Sequence, residues 1–356
     1  MKRKYLIWTF LSLLLLVIGA CNGVAKDESI NSEVKNKSSK EKITLKFAVS
    51  TPESHTMHTE TFLPIMEKIT ELTEGQVVFE YFPAEQLGKA ADLYELTSDG
   101  VTDIGVYYAS YIPDNMPITS GLLAIPGIYS TAYEGSMTYH ALSKQSPVLE
   151  TDFLNHGVRP LFLLAPPPSE IFTTKKEVKI PEDLKGMTVR VTGDILNIAV
   201  KKLEATPVNI ALPELYEGLE RGVFNSINQN PASINDYGLG ELIEYGTEGL
   251  SFGGVSAGLV INEKVFQGLP ENVQQAIVQV GDEVTESTAK YYDENVKVIL
   301  QKFKDDGVNI HQLSEEEKTK WQEFYTELED DWVKEKNNPE LEETIEVFKE
   351  EIIKYH

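Results

Sequence analysis

The chain has 356 residues and carries 56 acidic against 32 basic side chains, a formal net charge of −24 at neutral pH. A length of this order exceeds the ~250–300 residues at which one hydrophobic core stops growing, so two folded domains are expected. So acidic a body is repelled by a phosphate backbone, which argues against nucleic acid as a partner, and a single cysteine excludes an internal disulfide.

At the start of the chain Lys2, Arg3 and Lys4 precede an apolar stretch from Leu6 to Ile18, followed by Gly19, Ala20 and Cys21. This is the pattern of a secretion signal over residues 1–20. The stretch is shorter than the ~20 residues a membrane-spanning helix needs, and the small residues give a signal peptidase room to cut. Ile18-Gly19-Ala20-Cys21 resembles the lipobox of bacterial lipoproteins. That resemblance implies a lipid on the Cys21 thiol and places the body on the outer face of a cell membrane. Residues 21–42 are Lys, Glu, Ser and Asn with almost nothing apolar, a composition that cannot bury a core and reads as a flexible tether.

Strand-like and helix-like runs alternate through the body, the pattern of an α/β protein. Ile43 to Val49 alternates as a strand, and His58 to Thr73 places Phe62, Ile65, Met66 and Ile69 at helical spacing. Gln76 to Phe82, Ala90 to Ser98 and Asp103 to Tyr108 then read as strand, helix and strand, which makes two consecutive βαβ units. Arg159 to Ala165 and Glu170 to Thr174 are strands separated by Pro166, Pro167 and Pro168, whose fixed backbone and missing amides mark a domain crossover. Short strands at Met187 to Val191, Val208 to Ile210, Ser226 to Asn230 and Gly258 to Val265, with helices at Ile195 to Leu203 and Pro213 to Arg221, build a second sheet before the chain returns to the first domain. Beyond Leu269 and Pro270 the texture becomes long amphipathic helices: Glu271 to about Asp305, Ser314 to Lys334 with a Ser314/Glu317 capping box, and Pro339 to Tyr355. At ~1.5 Å per residue the first would run ~50 Å, a brace under two hinged lobes. The expected division is a signal at 1–20, a tether at 21–42, lobe I at 43–166 with a return segment at about 254–295, lobe II at 167–253, and C-terminal helices at 296–356.

Several local patterns together resemble one family, the solute-binding subunits of tripartite ATP-independent periplasmic (TRAP) transporters, the DctP-like proteins. Phe82-Pro83-Ala84-Glu85-Gln86-Leu87-Gly88, Gly100-Val101-Thr102-Asp103-Ile104-Gly105 and Ala124-Ile125-Pro126-Gly127 occur in the family's order. The strongest match is Pro181-Glu182-Asp183-Leu184-Lys185-Gly186-Met187-Thr188-Val189-Arg190-Val191. The resemblance implies an α/β fold of the two-lobed periplasmic-binding-protein type, a class II-like clamp with long bridging C-terminal helices. It also implies a small organic acid as ligand, a permease of small and large integral membrane subunits as partner, and no cofactor.

By the same resemblance Arg190 reaches into the cleft and grips a ligand carboxylate. The chemistry suits the task, because a planar guanidinium offers two parallel donors and stays charged when desolvated. Asn228 and Gln229 fall on the ligand-contacting amide positions, Tyr108 on a contact position at a strand end, and His55 in the loop after the first strand. Leu212 stands where many members carry a phenylalanine that stacks on the ligand. Glu170 stands where many members carry a second arginine. If it faces the cleft, it repels a second carboxylate and selects a monocarboxylate with a polar or cationic far end; otherwise it pairs with Lys175, Lys176 or Arg190.

Two rival chemistries are visible. Gly254-Val255-Ser256-Ala257-Gly258 satisfies the nucleophile-elbow pattern of secreted esterases, which requires a strand before it and a helix after it, yet the following residues read as a strand. His55, His58 and Glu60 form a weak candidate for a metal site, without the spacing of a zinc-binding helix. Catalysis is therefore not expected. A binding lipoprotein of an ABC-type importer is the alternative, sharing the clamp but differing in its membrane partner.

Overall fold

The computed structural model describes residues 41–356, and the expected signal segment, Cys21 and nearly all of the tether lie outside them. Eleven strands occur among the described residues: β1 (Ile43–Ala48), β2 (Val77–Phe82), β3 (Ile104–Tyr108), β4 (Val158–Leu164), β5 (Glu170–Thr173), β6 (Thr188–Arg190), β7 (Thr206–Val208), β8 (Ser226–Gln229), β9 (Tyr245–Glu248), β10 (Ala257–Asn262) and β11 (Asn309–Gln312). They form two sheets, ordered β2-β1-β3-β10-β4 and β11-β9-β5-β8-β6-β7. In the first sheet β1 runs parallel to β2 and β3, the two βαβ units expected from the sequence, and β10 enters antiparallel between β3 and β4. Every residue of β3 and β10 is buried, as expected of central strands covered on both faces by helices.

The chain leaves the first sheet through Pro166, Pro167 and Pro168 and returns to it through residues 250–256. These two crossovers run side by side: the Ser169 amide donates to the Gly253 carbonyl at 2.7 Å and the Phe252 amide to the Ser169 carbonyl at 2.8 Å. The helix Glu271–Asp305 is a third connection. It packs on β4 and the helix Ala132–Leu142 at one end, and on β11 and the helix Pro231–Asp236 at the other. Phe303 meets Phe172 of β5 edge-on, with ring centroids 6.1 Å apart. The helix Glu315–Lys336 also reaches both halves: the Trp321 indole donates to the Lys179 carbonyl at 2.9 Å and the Tyr325 hydroxyl to the Leu250 carbonyl at 2.8 Å, while Trp332 lies so close to Gly121 that a Cβ there would meet its ring at 2.3 Å. Its capping box forms as expected, with the Glu317 amide on the Ser314 hydroxyl and the Glu317 carboxylate on the Ser314 amide.

The structure departs from expectation where the sequence signal is short. Residues 296–356, expected as helices alone, also supply the edge strand β11, and β9 beside it was not foreseen; both have four residues and β9 contains Gly246. The helix Ala132–Leu142 was missed because it is buried on nearly every side and carries no apolar stripe. The strand expected at Val208 to Ile210 ends at Val208, which frees residues 209–211 to form a loop. The strand expected at Gly258 to Val265 stops at Asn262, whose side chain accepts the Val265 amide at 3.1 Å and starts the helix Glu263–Gly268.

Gly281 sits where the long helix crosses β4, and a Cβ there would lie 2.0 Å from the Leu161 carbonyl oxygen. In an open helix Gly→Ala stabilises by roughly 0.5–1 kcal/mol, but here the methyl would force backbone apart. Gly281→Ala is expected to destabilise by ~1–3 kcal/mol, the usual cost of overpacking. Thermal unfolding measures this, and a rise in melting temperature would contradict the close approach.

Candidate binding site between the sheets

Parallel strands end with their carbonyl ends on one side of a sheet, and ligands of open α/β sheets bind beyond those ends. Here the ends of β3, β6 and β8 converge on a cavity of about 40 Å³, which His55, Tyr108, Arg190, Leu212, Asn228 and Gln229 line together. Six of the seven residues singled out for ligand contact are thereby brought to one place from widely separated parts of the chain.

Arg190 is the last residue of β6 and is only 2% exposed. Its Nε and Nη2 donate to the Ile210 carbonyl at 3.0 and 2.8 Å, an acceptor available because residues 209–211 are loop. Burial lowers its pKa from the ordinary arginine value, opposed by the adjoining Tyr111 hydroxyl. No ion pair among the described residues involves Arg190. A guanidinium remains protonated under such conditions, so a whole positive charge stands in the cavity with neutral partners alone.

The amides are arranged around it. The Gln229 Oε1 accepts from the Asn230 amide at 3.0 Å and from its Nδ2 at 3.1 Å, which leaves the Gln229 NH₂ donors for the cavity. Asn228 donates its Nδ2 to the Phe252 carbonyl at 2.8 Å and so pins the second crossover as well as lining the cavity. Leu212 is half-buried and gives an aliphatic wall. The ring of Tyr108 lies 5.7 Å from that of Tyr111, and burial pushes its hydroxyl pKa up. His55 accepts the Met57 amide on Nδ1 at 3.1 Å, which assigns its proton to Nε2 in the neutral form. Burial lowers its pKa, partly opposed by Asp236, whose carboxylate is 3.6 Å away. The same carboxylate accepts from the Thr56 amide at 3.1 Å and hydroxyl at 2.8 Å, tying the loop after β1 to the helix that follows β8.

Glu170 requires a correction. It does not line the cavity, and it pairs with none of Lys175, Lys176 or Arg190. It is buried, and its carboxylate accepts from the Thr247 hydroxyl at 2.5 Å and from the Gly249 and Leu250 amides at 2.9 and 3.2 Å. The reversed charge thus holds the start of the second crossover and is no filter on the ligand's far end, so the expectation of a cationic far end loses its basis. Burial pushes its pKa up to about 7, against the opposing effect of these donors.

The rival chemistries do not assemble. Ser256 donates to the Thr119 carbonyl at 3.2 Å and leads into β10, a strand, while His311 and His356 sit beside Glu317 and Glu134 instead. His58 bonds the Tyr81 hydroxyl at 2.9 Å, and no group of three His, Cys, Asp or Glu among the described residues is placed to hold a metal. Sequence reasoning missed Asn230 and Tyr292 in the cavity lining. The Asn-Pro step at 230–231 was a usable signal, since the Asn230 side chain caps the helix Pro231–Asp236 by accepting the Ser233 amide at 2.9 Å. Tyr292 lies mid-helix, where nothing in the sequence marks it.

Two twisted α/β sheets, a cleft between them and a helix bridging both define a binding protein of the periplasmic type. The chain belongs to the bacterial extracellular solute-binding proteins, family 7 (DctP), whose family model matches residues 47–336. In fold it is similar to a marine metagenome TRAP solute-binding protein specific for aromatic acid ligands, solved with 3-hydroxybenzoate, at a TM-score of 0.82 and 23% identity, covering 88% of this chain and 99% of that one. It is similar also to a TRAP solute-binding protein from Rhodoferax ferrireducens T118 with copurified benzoate, at a TM-score of 0.81 and 20% identity, covering 88% and 98%. Among curated relatives, the C4-dicarboxylate-binding periplasmic protein DctP of Rhodobacter capsulatus is 24% identical over 164 residues, covering 46% of this chain and 49% of that protein. The chain thus spans about half the length of that relative.

The Glu170 shift has a consequence for stability. A carboxyl whose folded pKa is raised favours the folded state below its ordinary value near 4.5, and that contribution is lost as pH rises through about 7. Unfolding free energy is expected to fall across this window by on the order of 3 kcal/mol on account of Glu170. Buried Asp152, raised to about 6, acts in the same sense, so the comparison with Glu170→Gln isolates the effect. Denaturant titrations at pH 5 and pH 7.5 should show a smaller fall in the variant; equal falls would assign the carboxylate form to the native state at both pH values.

Proposed function

We propose that this protein is the extracytoplasmic receptor of a TRAP-type transporter, which captures a small organic acid between its two halves and delivers it to a permease of small and large integral membrane subunits. The observation that carries the reading is the buried guanidinium of Arg190, held by a carbonyl and a phenol with no carboxylate beside it. A desolvated charge without a counter-ion is costly, and an anionic ligand removes that cost by supplying the missing partner. The relatives' solved ligands, 3-hydroxybenzoate and benzoate, are carboxylates, which supports the same reading for this chain. Family membership favours this importer class over the ABC-type alternative.

Ligand bound in the cavity touches both halves and therefore favours the closed arrangement over an open one by the difference in its affinity for the two. The working units in this scheme are lobe I at 43–166 with its return segment, lobe II at 167–253, and the C-terminal helices. Attachment to the membrane through a lipid on Cys21 is part of the proposal and is supported by the Ile18-Gly19-Ala20-Cys21 pattern.

Removal of one partner of a buried charge pair costs ~2–5 kcal/mol, or some tens- to thousands-fold in affinity. Arg190→Ala is expected to weaken binding of benzoate or whichever organic acid binds wild type by that factor in calorimetry. Arg190→Lys should fall between, since a point charge replaces a fork of parallel donors. Undiminished affinity in Arg190→Ala would remove the guanidinium from the site. For the anchor, cells fed labelled palmitate should label wild type and not Cys21→Ser, which should appear in the medium; labelling of both would reject a lipid at Cys21.

A further inference from the structure

The cavity at Arg190 is not the whole of the space between the sheets. Ser110, Tyr111 and Thr192 line it and also line a larger space of about 470 Å³ on its outer side. Between the two spaces the halves approach one another at Ser110 and Gly193: Gly193 has φ +84°, and a Cβ added to it would just touch the Ser110 Cβ, at 3.7 Å. Tyr111 and Thr192 line both spaces, one from each half, beside this constriction.

The outer space has the character of a built wall. Ala90 and Ala91 face it from one half, and Ile210, Ala211 and Pro213 from the other. The loop that carries the two alanines is held in a conformation side chains disfavour, with Ala84 at φ +52° and Glu85 at φ +60°. It is fixed by the Ala84 amide on the Thr51 carbonyl at 3.0 Å and the Ala90 amide on the Glu85 carboxylate at 3.1 Å. The second wall is fixed by Arg190 itself, whose guanidinium grips the Ile210 carbonyl. Residues 210–213 therefore serve both spaces: Leu212 lines the inner one, while Ile210, Ala211 and Pro213 line the outer one. Three of the lining residues are charged: the Glu85 carboxylate is occupied by the Ala90 amide, and Lys89 and Glu214 are exposed side chains of opposite sign at the rim of a wall that is otherwise mainly apolar.

We infer that the outer space is the tail half of the binding site, and that the ligand is a carboxylate bearing an extended, mainly apolar substituent which passes the Ser110–Gly193 constriction. This rests on the reading of Arg190 as the carboxylate contact. A compact acid would fill the inner cavity and leave the alanine-lined wall in water. An arylalkyl or medium-chain acid buries both, and each further methylene taken out of water adds a few-fold in affinity.

The test is a length series on the full-length chain, purified in mild detergent and titrated calorimetrically with acetate, benzoate, 4-phenylbutyrate and octanoate. The two longer acids are expected to bind at least about tenfold more tightly than acetate and benzoate, the gain from burying a few methylenes. Ala211→Trp and Ala91→Trp, on opposite walls, fill the outer space. Each should lower the ratio of long-acid to benzoate affinity by about tenfold, the same burial undone. Both positions are exposed and melting temperatures report their folding. Equal or weaker binding of the longer acids, or a ratio moved by neither tryptophan, overturns the tail half while leaving the Arg190 contact standing. Binding of none of the four acids overturns the Arg190 reading for this class and the tail with it, a pattern distinct from the first.

Discussion

A positive charge that cannot reach water sets the terms for the rest of this molecule. Arg190 closes a three-residue strand, and its guanidinium turns toward the Ile210 carbonyl. Desolvation of such a group is expensive, and a carbonyl repays only part of it, because a dipole is not a counter-ion. The protein therefore holds an unfilled electrostatic demand in its cleft. Association with a carboxylate meets that demand, and the two parallel donors of the guanidinium give the contact direction as well as strength.

That demand is useful only if the walls around it can part and meet again. Two crossovers and the long helix join the sheets, and several buried polar groups gather on the second crossover. Glu170 holds Gly249 and Leu250, Asn228 holds Phe252, and Tyr325 holds the Leu250 carbonyl. The bond from Thr56 to Asp236 is of another kind, since it joins the loop after β1 to the helix after β8 and exists only while those elements are close. In the proposed clamp, ligand and bond would stabilise the same arrangement, the ligand through Arg190 and the bond through Asp236.

Much of this was legible in the sequence. Periodicity located nine of the strands to within a few residues, and the proline run marked the crossover, because both features follow from backbone geometry that neighbours cannot override. The long helix from Glu271 was read closely, its end given as about Asp305, since thirty-five residues of apolar stripe leave no competing period. Short edge strands were not legible: β9 and β11 owe their conformation to pairing with each other, which no local pattern encodes. Glu170 shows the same limit in the site. Its sequence position relative to Arg190 gave the strand and the distance along the chain. Its direction was set by Thr247 and two amides some eighty residues later. Charge reversal in a sequence says that a partner has changed, and only the fold says which partner.

Capture of an anion by an acidic protein, as proposed above, poses a last physical question. The formal charge of −24 repels a carboxylate at long range, yet the site attracts it at contact. The two effects act over different lengths. Surface charges are screened beyond about 8 Å at physiological ionic strength, while a pair at 4 Å in a medium of effective dielectric near 20 gains ~4 kcal/mol. The ligand therefore meets a weak barrier outside the cleft and a strong well inside it. Affinity in such a site resides in slow release, and slow release is what a closing clamp provides. An acidic surface therefore costs such a receptor little and keeps its copies apart from one another.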